Sequence, residues 1–167
     1  MVGVGPQYRR LQELAGPTVK FLGEVAEAEK NEQYAHCRAL LFPGEEDFGM
    51  VPVEAQAFGR PVIAFGKGGA RETVIGAYQD EAVTPERATG ILFGEQTAGS
   101  LVEAIRAFEV FEPQFSPRFI RAHAEQFDKR HFLEKMNRFV GERLEEHHAL
   151  NGLRVRSSSF ATGQADV

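Results

Sequence analysis

Short apolar runs recur along the first half of the chain. Each is followed by a stretch in which apolar residues return at helical spacing. The runs at residues 2–4, 19–22, 39–42, 62–65 and 90–93 predict strands. Between them, residues 6–15 carry Tyr8, Leu11 and Leu14 on one helical face, and residues 28–37 place Tyr34 and Cys37 together. Residues 50–58 carry Val53, Ala57 and Phe58, and a short helix is expected at 70–74, after Gly68-Gly69. Strands alternating with helices predict an α/β fold, a parallel sheet with helices on its faces.

After Phe93 the strand pattern stops. Thr97 opens a helix over 97–108 with Leu101, Ala104, Ile105 and Phe108 on its stripe. Ser116 followed by Pro117 is an N-cap with proline at the first helical position. Asp128 caps a third helix, striped by Phe132, Met136 and Phe139 with Leu133 and Val140 beside them. The pattern fades from about Glu145, and residues 152–167 are rich in Ser, Gly, Thr and Ala, the composition of a disordered tail. The expected organisation is one domain over 1–147 and a flexible tail over 148–167. The first strand begins almost at Met1, which suits a short or edge strand and a chain cut from a longer one.

Composition narrows the function classes. At 167 residues, 43% hydrophobic and 26% charged, the chain has the makings of an ordinary globular core. A net charge of -5 provides no basic footprint for nucleic acid. The single cysteine, Cys37, excludes an internal disulfide framework and fits a reducing, cytoplasmic compartment. No apolar run reaches the roughly 18 residues of a membrane span, and the N-terminus lacks the pattern of a signal peptide.

Three strand-to-helix junctions carry the candidate chemistry. At Gly3-x-Gly5-Pro6, free N–H groups would face an anion, although a tight turn needing glycine explains the pattern equally well. At the second, Glu46 lies in the loop after a strand and Glu54 just inside the next helix, with Phe48, Gly49 and Met50 between. Ligands of open α/β sheets bind at the carboxyl ends of strands. Each acid alone is more simply a solvated surface residue or one favoured by a helix N-terminus. Together they bracket amides suited to a pyrophosphate, and each charged acceptor would gain roughly 1.5–3 kcal/mol from a sugar hydroxyl. At the third, Lys67 in Gly66-Lys67-Gly68-Gly69 is placed for a phosphate or hydroxyl, against the plain alternative of a solvated lysine in a glycine turn. Glu72 has the same two readings. The five histidines lack metal-ligand spacing, Cys37 suits a core position, and Ser157–Ser159 lack a nucleophile context. A dinucleotide fingerprint would need a further glycine after Gly3-Val4-Gly5, where Tyr8 stands instead.

Taken in order, these segments resemble the retaining GT-B glycosyltransferases, in particular glycosyltransferase family 4. The resemblance rests on Gly3-x-Gly5-Pro6, Val19-x-Phe21-Leu22-Gly23, Tyr34-x-x-Cys37-x-Ala39, Glu46 and Glu54 around Phe48-Gly49, Glu54-Ala55-x-Ala57-x-Gly59-x-Pro61-Val62, and Gly68-Gly69-x-x-Glu72-x-Val74. It covers about residues 1–140 and looks most like bacterial and archaeal mannosyltransferases of polysaccharide synthesis. It implies a Rossmann-like donor-binding domain, the C-terminal domain of the GT-B pair. It also implies a nucleotide-sugar donor (GDP-mannose favoured), no metal and no other cofactor. Glu46 would contact the transferred sugar as the catalytic candidate, and Glu54 the ribose. The Phe48, Gly49 and Met50 amides would meet the sugar and diphosphate. Gly3 and Gly5 would admit the nucleotide, Gly23 and Val25 would lie beside the base, and Lys67, Gly68 and Gly69 would complete the donor site.

The chain departs from the family pattern in two ways. The resemblance covers only the second domain of the family's pair, so the N-terminal acceptor domain, and the basic pair that in the family precedes Gly3-x-Gly5-Pro6, are expected to be missing from this chain. The expectation is therefore a chain that binds donor weakly and transfers no sugar alone. Peripheral membrane association would come through the missing half. The alternative is a standalone nucleotide-sugar-binding subunit that pairs with a separate acceptor-domain chain.

Overall fold

The two strongest apolar runs form the centre of the sheet. The computed structural model describes residues 1–77 and 83–150. In chain order its elements are α1 (Tyr8–Leu14), α2 (Glu27–His36), β1 (Leu40–Phe42), α3 (Met50–Ala57), β2 (Val62–Phe65), α4 (Ala70–Thr73), β3 (Gly76–Ala77), β4 (Gly90–Phe93), α5 (Ala98–Phe111), α6 (Pro117–Ala124) and α7 (Lys129–Leu150). The strands run in the order β1-β2-β4-β3, and all three pairings are parallel. Val62 lies opposite Leu40 on one side and Gly90 on the other, while Gly76 also meets Gly90.

All four β2 residues are buried, as expected of a strand covered on both faces. Strand alternation sends Ile63 and Phe65 to one side, with Ile91, Phe93, Ala104, Phe108 and Ile120. It sends Val62 and Ala64 to the other, with Tyr34, Ala55, Ala70 and Val74. Burying each large apolar side chain contributes about 1.5–3 kcal/mol. The predicted caps form: Thr97 Oγ1 accepts from Ser100 N at 3.2 Å, and Ser116 Oγ accepts from Phe119 N at 3.3 Å.

Several expectations are corrected. Residues 2–4 and 19–22 form no strands; one parallel bridge, Val2 to Gly23, joins these segments. Gly3 (φ 98°) and Gly23 (φ 67°) leave the extended region, and Val2, Val4, Val19 and Leu22 are exposed, so no sheet face is buried there. Strand β3 went unpredicted because its two residues are too short for a period; neighbouring Ile75 and Thr89 pin it through bonds of 2.8 and 2.9 Å. Helix α5 runs on to Phe111.

The chain divides into two compact units, Met1–Phe127 and Asp128–Val167. The first holds the sheet and α1 to α6. The described part of the second is α7, whose start is capped by Asp128 Oδ1 accepting from Arg130 N at 2.8 Å. Phe132, Leu133, Met136, Phe139, Val140 and Leu144 of α7 are exposed. The helix continues to Leu150, beyond residue 147, and the remainder of the expected tail, 151–167, lies outside the described residues. No helix among the described residues is long and apolar enough to cross a membrane.

Candidate functional site

Strand β1 ends at Phe42, and the following loop turns the chain into α3. Gly49 makes this entry in the left-handed region, with φ 80° and ψ 63°, a conformation costly for any residue with a Cβ. Among the described residues no side chain caps α3, so its first N–H groups have no side-chain partner there. Pro52 in the first turn removes a donor that would have had no helical partner. Glu46 and Asp47 are exposed in the loop, and Glu46, Phe48, Gly49 and Met50 line a cavity of about 310 Å³. The Phe48 ring stands edge-on to Phe127 at 5.9 Å, and Phe127 in turn meets His123 at 5.4 Å. His123 Nε2 lies 3.1 Å from the Thr73 carbonyl, which also accepts from the buried Gln56 Nε2 at 2.9 Å.

A second loop braces the first. Gly69 N donates to Glu46 O at 2.7 Å. A Cβ on Gly69 would fall 2.3 Å from the Phe48 backbone, and one on Gly68 would fall 2.4 Å from Glu46 O. Glycine is thus required at both positions by contact between the two loops. Lys67 points elsewhere: its Nζ stands 5.5 Å from the Phe65 ring centroid, and it lines a different cavity of about 630 Å³ with Arg71. The structure therefore brings Glu46, Phe48, Gly49 and Met50 to one cavity and packs Gly68 and Gly69 against the backbone of that loop, while Lys67 lines a different cavity.

Glu54 faces α2. Its carboxylate takes both oxygens' bonds from Lys30 Nζ, each 3.1 Å, and a further bond from the Tyr34 hydroxyl to Oε2 at 2.9 Å. Tyr34 is 7% exposed. Burial, and then the adjacent Glu54 carboxylate, push its phenol well above the usual tyrosine range, so it stays a donor. The sequence reading assigns no role to Lys30, and it places Tyr34 on an apolar helix face and in the family motif, not beside Glu54. The available signal was their spacing of four, which puts both on one face of α2.

Gly3, Gly5 and Gly23 form a separate group. Gly3 N donates to Gly23 O at 2.7 Å, and Tyr8 N donates to Gly5 O at 2.9 Å. Apart from its chain neighbours, no described residue comes within 4 Å of where a Cβ on Gly5 would stand. Val25, beyond Gly23, is half-buried.

Residues 1–108 match the family Glycosyl transferases group 1. The chain belongs to that family. It is 39% identical over 72 residues to the alpha-1,3/1,6-mannosyltransferase ALG2 of Candida glabrata, a match covering 42% of this chain and 16% of the relative. It is 31% identical over 121 residues to the D-inositol 3-phosphate glycosyltransferase of Gordonia bronchialis, covering 71% of this chain and 24% of the relative. The chain thus spans a quarter or less of these relatives' length. Among solved structures, sucrose-phosphate synthase from Thermosynechococcus elongatus superposes with a TM-score of 0.69 at 27% identity, over 87% of this chain and 38% of that one. Anabaena Alr3699/HepE, solved in complex with UDP-glucose, gives 0.60 at 26% identity, over 87% and 40%. The glycosyltransferase resemblance and its Rossmann-like fold therefore hold. As a family member, the chain presents its two loops at the carboxyl ends of β1 and β2, beside the start of α3.

Proposed function

We propose that this chain is the donor-binding domain of a retaining glycosyltransferase that takes a hexose from a nucleotide-sugar and passes it to a glycan or lipid-linked acceptor. The observation that carries this reading is the braced loop. Glu46 and the uncapped start of α3 face one cavity, with Glu54 a turn further along the same helix. Under this reading Glu54 accepts hydrogen bonds from the ribose, and Glu46 contacts the hydroxyls of the transferred sugar. The amides at Phe48, Gly49 and Met50, aided by the helix dipole, receive the diphosphate as its charge develops. Gly3, Gly5, Gly23 and Val25 receive the nucleoside. Lys67, at a neighbouring cavity, keeps only a secondary place in this reading.

The match to a mannosyltransferase favours mannose, and the glucose nucleotide bound by Alr3699/HepE makes a UDP-sugar the donor to test against GDP-mannose. The reading requires no metal; amides and cations stabilise the leaving diphosphate. The chain's coverage of its relatives and the exposed apolar stripe of α7 support a separate acceptor domain as its complement. Alone, the chain binds donor weakly and transfers no sugar.

Calorimetric titration of the chain with GDP-mannose, UDP-glucose and UDP-N-acetylglucosamine, each with and without EDTA, tests this reading. One donor is expected to bind in preference, with unchanged affinity in EDTA. Binding of none would remove the donor site, binding lost in EDTA would remove metal independence, and sugar transfer by the chain alone would refute its incompleteness.

A further inference from the structure

The contacts of Glu54 use most of its carboxylate. An ionised carboxylate only accepts, and its two oxygens offer about four lone-pair sites. Lys30 takes one on each oxygen, and Tyr34 takes a second on Oε2. One site remains, on Oε1. The Lys30 ammonium has three N–H donors; two point at Glu54, and no described protein group takes the third. The pair is open to solvent, with side-chain exposures of 32% for Lys30 and 34% for Glu54, while Tyr34, bonded to Glu54, is buried. Solvent therefore meets one free acceptor beside one free donor.

We propose that Lys30 is a ligand-binding residue, and that Lys30 and Glu54 together read a vicinal diol. One hydroxyl donates to Glu54 Oε1, and the neighbouring hydroxyl oxygen accepts from Lys30 Nζ. Tyr34 is a positioning residue that holds the carboxylate. This rests on the reading in which Glu54 meets the ribose, and it deepens that reading. A carboxylate acting alone would need a free site on each oxygen to take both hydroxyls, and Oε2 is full. An ion pair serving only to tie α2 to α3 would be nearly neutral to binding, since partly exposed pairs contribute little.

The test uses the full 167-residue chain and four probes: UDP, GDP and their deoxyribose analogues deoxy-UDP and deoxy-GDP, followed by ligand-observed NMR. The wild-type chain is expected to favour at least one ribonucleotide over its deoxy form by about tenfold, the loss of one good hydrogen bond. Lys30→Met weakens the ribonucleotide by about tenfold and brings the ribo-to-deoxy ratio close to one, while Lys30→Arg recovers most of both. Lys30→Gln, which keeps a donor and loses the charge, stands in if Lys30→Met fails to fold. Tyr34→Phe lowers the ratio to an intermediate value. A ratio unchanged in Lys30→Met or Lys30→Gln would overturn the role of Lys30 while leaving the donor site intact. A wild-type chain that binds nucleotide without preferring ribose would overturn the diol contact, and one that binds neither nucleotide would remove the donor site and this proposal together.

Discussion

Two glycine-bearing turns ahead of helices have the same appearance in sequence and different physical origins. At Gly68-Gly69, added Cβ atoms would collide with the Glu46 and Phe48 backbones, so the protein itself demands glycine. At Gly5, nothing described lies within 4 Å of the missing Cβ, and φ is not positive. The first turn is held by a few backbone bonds among exposed residues, while the second leans on a buried sheet. A glycine explained by packing carries little information about a ligand. A glycine that packing does not explain points outward, to something that approaches from solvent.

Gly69→Ala should produce the largest effect. Displacing backbone at a close contact costs about 3 kcal/mol, which lowers Tm by about 10 °C in a domain of this size. A thermal unfolding curve within a degree or so of wild type would erase the contrast between the turns. Glu54→Ala comes next. It should weaken nucleotide binding by about tenfold, or about 1.4 kcal/mol, in a calorimetric titration. Unchanged affinity would place the ligand away from α3. Gly5→Ala sharpens the comparison from the other side: its unfolding free energy should stay within about 0.5 kcal/mol of wild type, while nucleotide affinity falls about fivefold. A large drop in Tm with no change in binding would show that the first turn, too, needs glycine for packing.

The smallest effect is confined to alkaline pH. The Tyr34 phenol is harder to ionise folded than unfolded, so its contribution to stability is complete below the ordinary tyrosine value of about 10 and declines as pH rises beyond it. Denaturant midpoints of wild type should therefore fall above pH ~10 more steeply than those of Tyr34→Phe. Parallel curves would mean that Tyr34 titrates normally.

The sheet was legible where a strand is buried on both faces. Residues 62–65 and 90–93 are continuous apolar runs, and both are strands. Residues 2–4 and 19–22 carry a similar run, yet positive φ at Gly3 and Gly23 and the absence of a covering face leave one bridge. The caps Thr97, Ser116 and Asp128 were legible because a cap depends on a side chain and an amide only a few residues apart.

The sequence by itself determined the alternating α/β class, the family and the candidate acids, because hydrophobic period, capping and motif spacing are local properties of the chain. Only the tertiary structure decided what those residues touch. It joined Gly68 and Gly69 to the Glu46 loop, moved Lys67 to another cavity, and surrounded Glu54 with Lys30 and Tyr34. Those contacts cross from one element to another, and their partners are fixed by how α2, α3 and the loops pack on the sheet. Spacing along the chain puts Lys30 and Tyr34 on one face of α2, but it does not say what that face meets.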